Sequence, residues 1–361
     1  MTYENEPLGS LLSAPEISPI AKDAIRNRDL SLEPLWHKTL RQLREEHFFS
    51  GDIGQGIHRL YQAARTGDWY YSLYSEDECR EEEARRGVSL VWFPSDDPKA
   101  DERPFILLVP GGGFVNVWNL TEGWPIAAQF NSYGYHVFIL TYQVTGESRL
   151  LEKNLEDFSR ALRLIRKEER HFHVKPELYI TCGFSAGGYL ISLWNTEKGY
   201  PFFGLPRPRA SFPVYPLISL KLLVAGNTPD SDTEEDRRRD LRLYGCSVWE
   251  AMNMAYEIPE HAEGFPPCAF FLAAGDELVS PEHSRTLARR LEALHIPCRL
   301  EIGPEGGHGF ADGSGMCMAG WTKRAVDWYE SLLEDHPGGC VLHEKQAEVE
   351  RLLQAGQPQG E

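Results

Sequence analysis

The sequence predicts an α/β fold with a mostly parallel, doubly wound sheet and helices on both faces, and two observations support this prediction. First, short continuous apolar runs recur along the chain, as in strands that are buried on both faces. These runs lie at 105–109, 137–140, 178–180 and 269–272. Second, the segments between them carry apolar residues at helical spacing. One such stripe consists of Leu151, Leu155, Phe158, Leu162 and Ile165. Strands that alternate with helices indicate a parallel sheet.

The chain begins with a different pattern. Residues up to about 65 contain no strand-like run, but several apolar side chains fall at helical spacing in a charged background. These are Leu35, Trp36, Leu40, Leu43 and Phe48. We therefore predict a helical N-terminal cap over residues 1–65 and a main α/β domain over residues 66–335. The β-forming segments 69–74 and 88–93 are expected to open that domain as an antiparallel pair.

Two later regions depart from the regular alternation. Residues 219–265 form an insertion after a core strand, with a charged run at 227–240 and an amphipathic helix predicted over 248–258. We expect this insertion to lie over the strand ends as a lid, and a solvated excursion is the alternative. The helix that follows is predicted to begin with Ser280 as N-cap and Pro281 as its first residue. Residues 336–361 form a polar tail with a weak helical pattern at 347–353.

Composition excludes several classes of partner. The 361 residues include 37 Lys and Arg against 54 Asp and Glu, a formal net charge of -17, which disfavours nucleic acid and anionic membrane surfaces. No signal peptide or membrane-spanning run is recognisable, so a cytoplasmic location is expected. The 7 cysteines are scattered without a C-x-x-C pair, which favours reduced thiols over disulfides or zinc. His171 and His173 lack an evident third ligand, so no metal is predicted. A homo-oligomer is compatible with this composition.

One stretch carries the pattern of a nucleophile elbow. Gly183-Phe184-Ser185-Ala186-Gly187 reads G-x-S-x-G between an apolar run and a segment with helical spacing. Ser185 would therefore lie on a sharp turn between a strand and a helix, where glycines avoid collisions with the neighbouring backbone. The start of that helix would direct N–H groups at negative charge that develops on a substrate.

Four polar or glycine-rich segments each follow a predicted strand directly. These segments are 110–114, 183–188, 275–279 and 303–310. Because the carboxyl ends of parallel strands share one edge, the four segments should meet. A serine nucleophile needs an adjacent base and an acid that orients the base, and His308 and Asp276 supply them in the chain order of α/β-hydrolases. Glu277 is the alternative acid, but the D-x-x-V spacing favours Asp276.

The glycine-rich segment at 110–114 predicts an oxyanion hole. Successive glycines allow backbone amides to approach a substrate, so the N–H groups of Gly112 and Gly113, with that of Ala186, are the expected donors. Bulky side chains follow closely. Phe114, Trp118 and Trp124 could line an acyl or sugar pocket, and simple packing is the alternative role for the tryptophans.

Together these motifs resemble the hormone-sensitive-lipase-like esterases, especially bacterial acetyl-esterase and acetyl-xylan-esterase-like members. The resemblance runs from about Phe105 to Trp328 and rests on a small set of motifs. These are Pro110-Gly111-Gly112-Gly113-Phe114, Glu122-Gly123-Trp124-Pro125, Gly183 to Gly188, Asp276 to Val279 and Gly306 to Gly309. Such esterases often have histidine where this chain has Pro110. The N-terminal cap and the insertion lie outside the resemblance.

The resemblance implies an α/β-hydrolase fold and a serine carboxylic-ester hydrolase that needs no cofactor. It implies Ser185 as nucleophile, Asp276 as acid and His308 as base, but substrate choice is not inherited, since the cap and the insertion lie outside the match. The acetyl-esterase resemblance and the bulk of Phe114, Trp118 and Trp124 together lead us to expect small esters with short acyl groups, acetyl above all, with acetylated carbohydrate as one source. Two alternatives remain open. One is a serine peptidase of the prolyl-oligopeptidase type, which normally has a large extra N-terminal domain. The other is a non-catalytic ligand-binding protein on the same fold, as in the gibberellin receptor.

Overall fold

The structure of the protein is a computed structural model that describes residues 3–27, 33–46, 51–333 and 341–343. Within these ranges the strands are β1 (Arg26–Asn27), β2 (Tyr70–Ser72), β3 (Ser89–Phe93), β4 (Phe105–Val109), β5 (Asn116–Val117), β6 (Val137–Thr141), β7 (Tyr179–Phe184), β8 (Ala210–Val214), β9 (Cys268–Ala273), β10 (Cys298–Gly303) and β11 (Val341–His343). All four predicted apolar runs are strands, because their side chains are buried on both faces of the sheet.

The helices alternate with these strands through most of the chain. In the same ranges the α-helices are α1 (Leu8–Leu12), α2 (Ser18–Ala21), α3 (Leu40–Glu45), α4 (Ile53–Ala64), α5 (Glu76–Glu81), α6 (Trp124–Ser132), α7 (Leu150–Lys167), α8 (Glu169–Phe172), α9 (Ala186–Trp194), α10 (Tyr200–Phe203), α11 (Leu220–Leu223), α12 (Glu234–Tyr244), α13 (Val248–Ala251), α14 (Glu282–Ala293) and α15 (Trp321–Leu333). A single π-helical turn, Asn119–Gly123, precedes α6 directly.

The central sheet of the described residues has nine strands in the order β11-β10-β9-β8-β7-β4-β6-β3-β2. Neighbouring strands are parallel from β11 to β6, whereas β3 is antiparallel to both β6 and β2. The expected antiparallel opening pair is therefore confirmed. Strand β4 lies between β6 and β7, so the chain reverses its direction of winding at β4. The carboxyl ends of β4 and β7 flank the crevice in which ligands bind in open α/β sheets.

Two groups of helices pack on the sheet. Helix α6 contacts α4 and α15, and α7 contacts α9 and α12. The predicted stripe of α7 is buried as expected, because its apolar residues recur every three or four positions and face the core. The mostly parallel, doubly wound α/β architecture predicted from the sequence is thus confirmed.

The N-terminal segment differs from its prediction in two respects. It contains a short strand, β1, which pairs antiparallel with β5 through Arg26 and Val117, although no strand was expected before residue 65. The expected helical stripe is also interrupted. Thr39 begins α3 with a capping box to Gln42, so Leu40 and Leu43 are buried in a short helix of their own, while Phe48 lies outside the described residues.

Predicted element boundaries in the second half are partly wrong. The helix expected over 248–258 ends at Ala251, after which turns lead to a short 3₁₀ helix. Helix α14 begins at Glu282, one residue after the predicted start, but Pro281 already has helical backbone angles and Ser280 Oγ accepts the Glu282 N–H (3.3 Å), as expected of an N-cap. Strand β11 lies in the segment predicted to be a polar tail and pairs with β10, and the helical pattern at 347–353 lies outside the described residues.

The described residues contain no helix that is long and apolar enough to cross a membrane. The six described cysteines are all free thiols.

Candidate active site

Ser185 lies on a sharp turn between β7 and α9. Its backbone angles are φ 49° and ψ -114°, a conformation that costs a residue with a side chain roughly 1–3 kcal/mol. The Ser185 N–H donates to Val214 O (2.9 Å), which ties the turn to the next strand. Close packing explains the flanking glycines, since a Cβ on Gly183 would lie 2.5 Å from Gly187 O and one on Gly187 would lie 2.1 Å from Val109 O.

His308 lies against Ser185 from the loop that follows β10. Its Nε2 is 2.8 Å from Ser185 Oγ, and its Nδ1 is 2.7 Å from Asp276 Oδ2. A carboxylate oxygen can only accept, so Nδ1 carries the proton and donates to Asp276. Nε2 is then free to accept from the Ser185 hydroxyl, which is the arrangement that activates a serine.

Asp276, rather than its neighbour Glu277, faces the histidine. The second oxygen of Asp276, Oδ1, accepts the N–H groups of Leu278 (3.0 Å) and Val279 (2.8 Å), so the loop after β9 orients the carboxylate. The side chain of Asp276 is 1% exposed and that of His308 is 16% exposed. Glu277 is exposed. The structure therefore brings together Ser185, His308 and Asp276 from three loops at one edge of the sheet.

The glycine-rich loop after β4 lies beside Ser185. A Cβ on Gly111 would lie 2.9 Å from Ser185 Cβ, and Gly112 (φ 132°) and Gly113 (φ 61°) have backbone angles that favour glycine. Among the described residues, the N–H groups of Gly112, Gly113 and Ala186 have no hydrogen-bond acceptor. Three donors beside a nucleophile can stabilise an oxyanion.

The three predicted pocket residues occupy different environments. Trp118 is half-buried, whereas Phe114 is buried against Tyr142 and Tyr189. Trp124 is 1% exposed at the start of α6. A side chain with so little accessible surface packs in the core, so its position does not support substrate contact by Trp124.

Sequence reasoning missed two residues beside this site, Glu122 and Tyr215. Glu122 lies in the π-helical turn and is buried, with Oε2 accepting the Gly111 N–H (2.6 Å) and Oε1 accepting the Tyr215 O–H (2.8 Å). Burial raises the pKa of Glu122, and these two hydrogen bonds oppose that rise. The Tyr215 ring packs edge-on against His308 at 4.8 Å. Glu122 entered the sequence analysis only as part of the motif Glu122-Gly123-Trp124-Pro125, without a role, and Tyr215 gave no signal.

Segments outside the main sheet contact the glycine loop. The Arg242 guanidinium, in α12 of the insertion, donates to Phe114 O (3.0 Å). From the N-terminal segment, β1 pairs with β5 and Ala24 O accepts the Leu120 N–H (2.7 Å). Both segments therefore support the loop that leads from Gly111 to Glu122. Within the described parts of the chain, no three His, Cys, Asp or Glu side chains cluster in a way that could hold a metal ion.

Residues 92–203 match the family model BD-FAE. Among curated proteins, the chain is 26% identical over 251 residues to the acetylxylan esterase of Xylanibacter ruminicola, which covers 69% of this chain and 47% of that protein. It is also 26% identical over 243 residues to endo-1,4-beta-xylanase B of Butyrivibrio fibrisolvens, which covers 64% of this chain and 36% of the xylanase. The chain spans less than half the length of either relative.

Solved structures extend the likeness to the fold. The acetyl ester-xyloside bifunctional hydrolase from Caldicellulosiruptor lactoaceticus matches with a TM-score of 0.58 and 25% identity, over 73% of this chain and 96% of that one. The thermophilic esterase Est2 from Thermogutta terrifontis, with butyrate bound, matches with a TM-score of 0.57 and 19% identity, over 73% and 93% of the two chains.

Proposed function

We propose that this esterase-type α/β-hydrolase cleaves small carboxylic esters through an acyl-enzyme on Ser185, with His308 as base and Asp276 as the acid that orients it. The observation that carries the proposal is the continuous hydrogen-bond chain from Ser185 Oγ to His308 and on to Asp276. The esterases among the similar proteins support the same reaction class. No cofactor takes part in the proposed reaction.

The first half of the reaction forms the acyl-enzyme. Ser185 Oγ attacks the carbonyl carbon of the ester while His308 Nε2 takes the hydroxyl proton, and the carbonyl electron pair moves to its oxygen. When this tetrahedral intermediate collapses, the bond to the alcohol oxygen breaks and His308 returns the proton to that oxygen. The alcohol leaves, and the acyl group stays on Ser185. Asp276 accepts from Nδ1 throughout and stabilises the imidazolium in between.

The second half releases the acid. A water molecule attacks the acyl carbon while His308 Nε2 takes one of its protons, and collapse of the second intermediate breaks the bond to Ser185 Oγ. The serine oxygen regains the proton from His308. In both intermediates the N–H groups of Gly112, Gly113 and Ala186 are the proposed donors to the oxyanion, and removal of one such donor typically costs about 3 kcal/mol.

The first prediction concerns the nucleophile. Wild-type protein is expected to hydrolyse p-nitrophenyl acetate and to be labelled by a fluorophosphonate, and Ser185→Ala is expected to lose both, because only an activated serine is phosphonylated. Mass spectrometry of the labelled peptide locates the adduct. The matched control is Ser192→Ala. Ser192 is a buried serine of α9, the helix that follows Ser185, and its hydroxyl donates to Gly188 O. Labelling elsewhere, with activity retained in Ser185→Ala, would refute the proposal.

We further propose acetyl and other short acyl groups as substrates, with acetylated carbohydrate as one source. The similarity to an acetylxylan esterase and to an acetyl ester-xyloside bifunctional hydrolase supports this narrower class. The bulky Trp118 near the glycine loop supports it as well. The insertion 219–265 is the proposed lid, since Arg242 links it to Phe114 of that loop. The N-terminal cap (1–65), main domain (66–335) and tail (336–361) remain the proposed division of the chain.

The second prediction concerns acyl length. An open groove gains about 0.8 kcal/mol for each methylene that it buries, so kcat/KM would rise along the series from acetate to decanoate. A closed short-acyl pocket is expected to give the opposite trend, with acetate or propionate preferred. Trp118→Ala should relax the cutoff, and Trp36→Ala, which removes an exposed tryptophan of the N-terminal segment, should not. An optimum at octanoate or beyond would contradict the short-acyl proposal.

A further inference from the structure

We propose that Glu122 is a positioning residue for this reaction. Its side chain joins the glycine loop, after β4, to the histidine loop, after β10, through Tyr215, and it places a second buried carboxylate behind His308. The inference rests on the proposed function, since it assigns a role in the same site. Glu122 belongs to the motif Glu122-Gly123-Trp124-Pro125 of the resemblance, but that motif assigns it no role.

The contacts of Glu122 reach both halves of the site. Its Oε2 accepts from Gly111, and a Cβ on Gly111 would lie 2.9 Å from both Glu122 Oε2 and Ser185 Cβ, so the carboxylate and the nucleophile both lie against Gly111. Its Oε1 accepts from Tyr215, and Tyr215 Oη in turn accepts the Ala311 N–H (3.2 Å) three residues after His308. One side chain thus fixes the loop that supplies Gly112 and Gly113 and, through Tyr215, the loop that supplies the base.

The direction of these hydrogen bonds favours an acceptor carboxylate. The Gly111 amide can only donate. Tyr215 Oη accepts from Ala311, which leaves its own proton to be donated to Glu122, and burial raises the pKa of that phenol well above its ordinary value. Every donor in this series of hydrogen bonds therefore points towards Glu122. A glutamine cannot replace it without loss, because its amide nitrogen would face one of the two donors.

Backbone conformation around Glu122 supports the same role. Four residues other than glycine have positive φ in these loops: Phe114 (58°), Ser185 (49°), Tyr215 (36°) and Ala311 (49°). Glu122 itself lies in a π-helical turn, a form that is frequent at functional sites. Such conformations persist only where surrounding contacts hold them, and the Gly111–Glu122–Tyr215–Ala311 chain supplies those contacts.

We assign Glu122 as an ionised carboxylate, because both of its oxygens accept hydrogen bonds although burial raises its pKa. A negative charge at this position would affect the protonation of His308 during the reaction. The groups that face His308 are Ser185 and Asp276, through hydrogen bonds, and Tyr215, through its ring, with Glu122 next to Tyr215. Tyr215 stays protonated, so Asp276 and Glu122 are the two acids of this set that can stabilise an imidazolium. Loss of the Glu122 charge should therefore make His308 easier to deprotonate.

The test compares Glu122→Gln and Tyr215→Phe with wild type, and a fluorophosphonate titration counts active sites so that kcat is expressed per folded molecule. We expect Glu122→Gln to lower kcat on the order of 10- to 100-fold with little change in KM, a loss of the size found when hydrogen-bond partners that orient metal ligands are replaced. The acidic midpoint of its kcat/KM profile should move to lower pH. Tyr215→Phe should lower kcat as well, and the double variant should lose less than the product of the two effects.

Asp157→Asn is the matched control. Asp157 is likewise buried and accepts a tyrosine hydroxyl (Tyr74, 2.6 Å) and a backbone amide (Gln143, 2.9 Å), but it has no contact with the site. The Asp157→Asn variant should have a lower free energy of unfolding, with unchanged kcat per active site and an unchanged acidic midpoint of the kcat/KM profile. Unchanged kcat and midpoint in Glu122→Gln, or equal losses in Asp157→Asn, would overturn the inference. The proposed function is tested separately, since its failure would appear as ester hydrolysis that survives Ser185→Ala.

Discussion

Individual side chains near this site are oriented mainly by backbone amides. Asp276 accepts two of them from its own loop, and His283, in α14, accepts the N–H groups of Ile218 (3.3 Å) and Ser219 (3.1 Å) through Nδ1. This arrangement requires a neutral imidazole, because a protonated Nδ1 could not accept. Burial lowers the pKa of His283 to about 4. The histidine that supports the loop after β8 is therefore neutral in the folded protein at ordinary pH.

A pH dependence of stability follows from His283. In the unfolded chain it titrates near its ordinary pKa of about 6.5, so the unfolded state binds an extra proton as pH falls from there towards 4. The contribution of the neutral histidine is present above pH 6.5 and is lost on acidification. Urea unfolding of wild type at pH 7 and pH 5 should include a loss of about 2 kcal/mol from this group.

Two variants test whether His283, rather than another titratable group, causes this pH dependence of stability. His283→Gln should be less stable than wild type at pH 7 but should lose less stability on going to pH 5. His37→Gln, which replaces an exposed histidine, should keep the wild-type dependence. If His283→Gln and wild type lost the same amount between the two pH values, the buried neutral histidine would be excluded as the cause.

Among the elements, the glycine loop depends on a strand pair that sequence patterns cannot reveal. Gly112 is enclosed by the start of β5, since a Cβ there would lie 2.3 Å from Asn116 O, whereas a Cβ on Gly113 would meet only Val115 Cγ2 at 3.9 Å. Strand β1 holds β5 from the other side. A two-residue strand has no alternation to detect, and its pairing joins segments far apart in the sequence. This explains why β1 was missed.

The two glycines should therefore respond differently to alanine. Gly112→Ala must displace Asn116 and the β1–β5 pair, so we expect a loss of kcat on the order of 10²-fold or more, comparable to removal of an oxyanion donor. Gly113→Ala keeps its N–H and meets open space, and its left-handed backbone costs only about 1–2 kcal/mol in stability. Activity per titrated active site distinguishes the two variants. Equal activity in both would argue against a rigid loop at Gly112.

At the scale of the whole molecule, topology made most of the site predictable. The four loops that carry Ser185, Asp276, His308 and the glycines follow parallel strands, and such strands place their carboxyl ends at one edge. The rule needs only the strand pattern, which apolar runs display clearly. The hydrogen bond between Glu122 and Tyr215 was not predicted, because it joins residues 93 positions apart and neither segment has a pattern that indicates the other. Helix α13 begins at the predicted Val248 but ends at Ala251, because turns at 252–256 interrupt the apolar period on which the prediction of a helix to 258 rested.

The junction between the first and last parts of the chain also has a consequence for biosynthesis. The Asp52 N–H donates to Asp312 Oδ2, a contact that spans 260 positions, and apolar residues of the N-terminal segment, such as Leu8, Leu11 and Ile57, belong to the shared core. At 5–20 residues per second, a ribosome needs roughly 13–50 seconds to synthesise the intervening chain. During that interval the Asp52 N–H lacks its native acceptor, Asp312 Oδ2. The contact between these two parts of the chain can therefore form only after the loop that carries His308 and Asp312 has been synthesised.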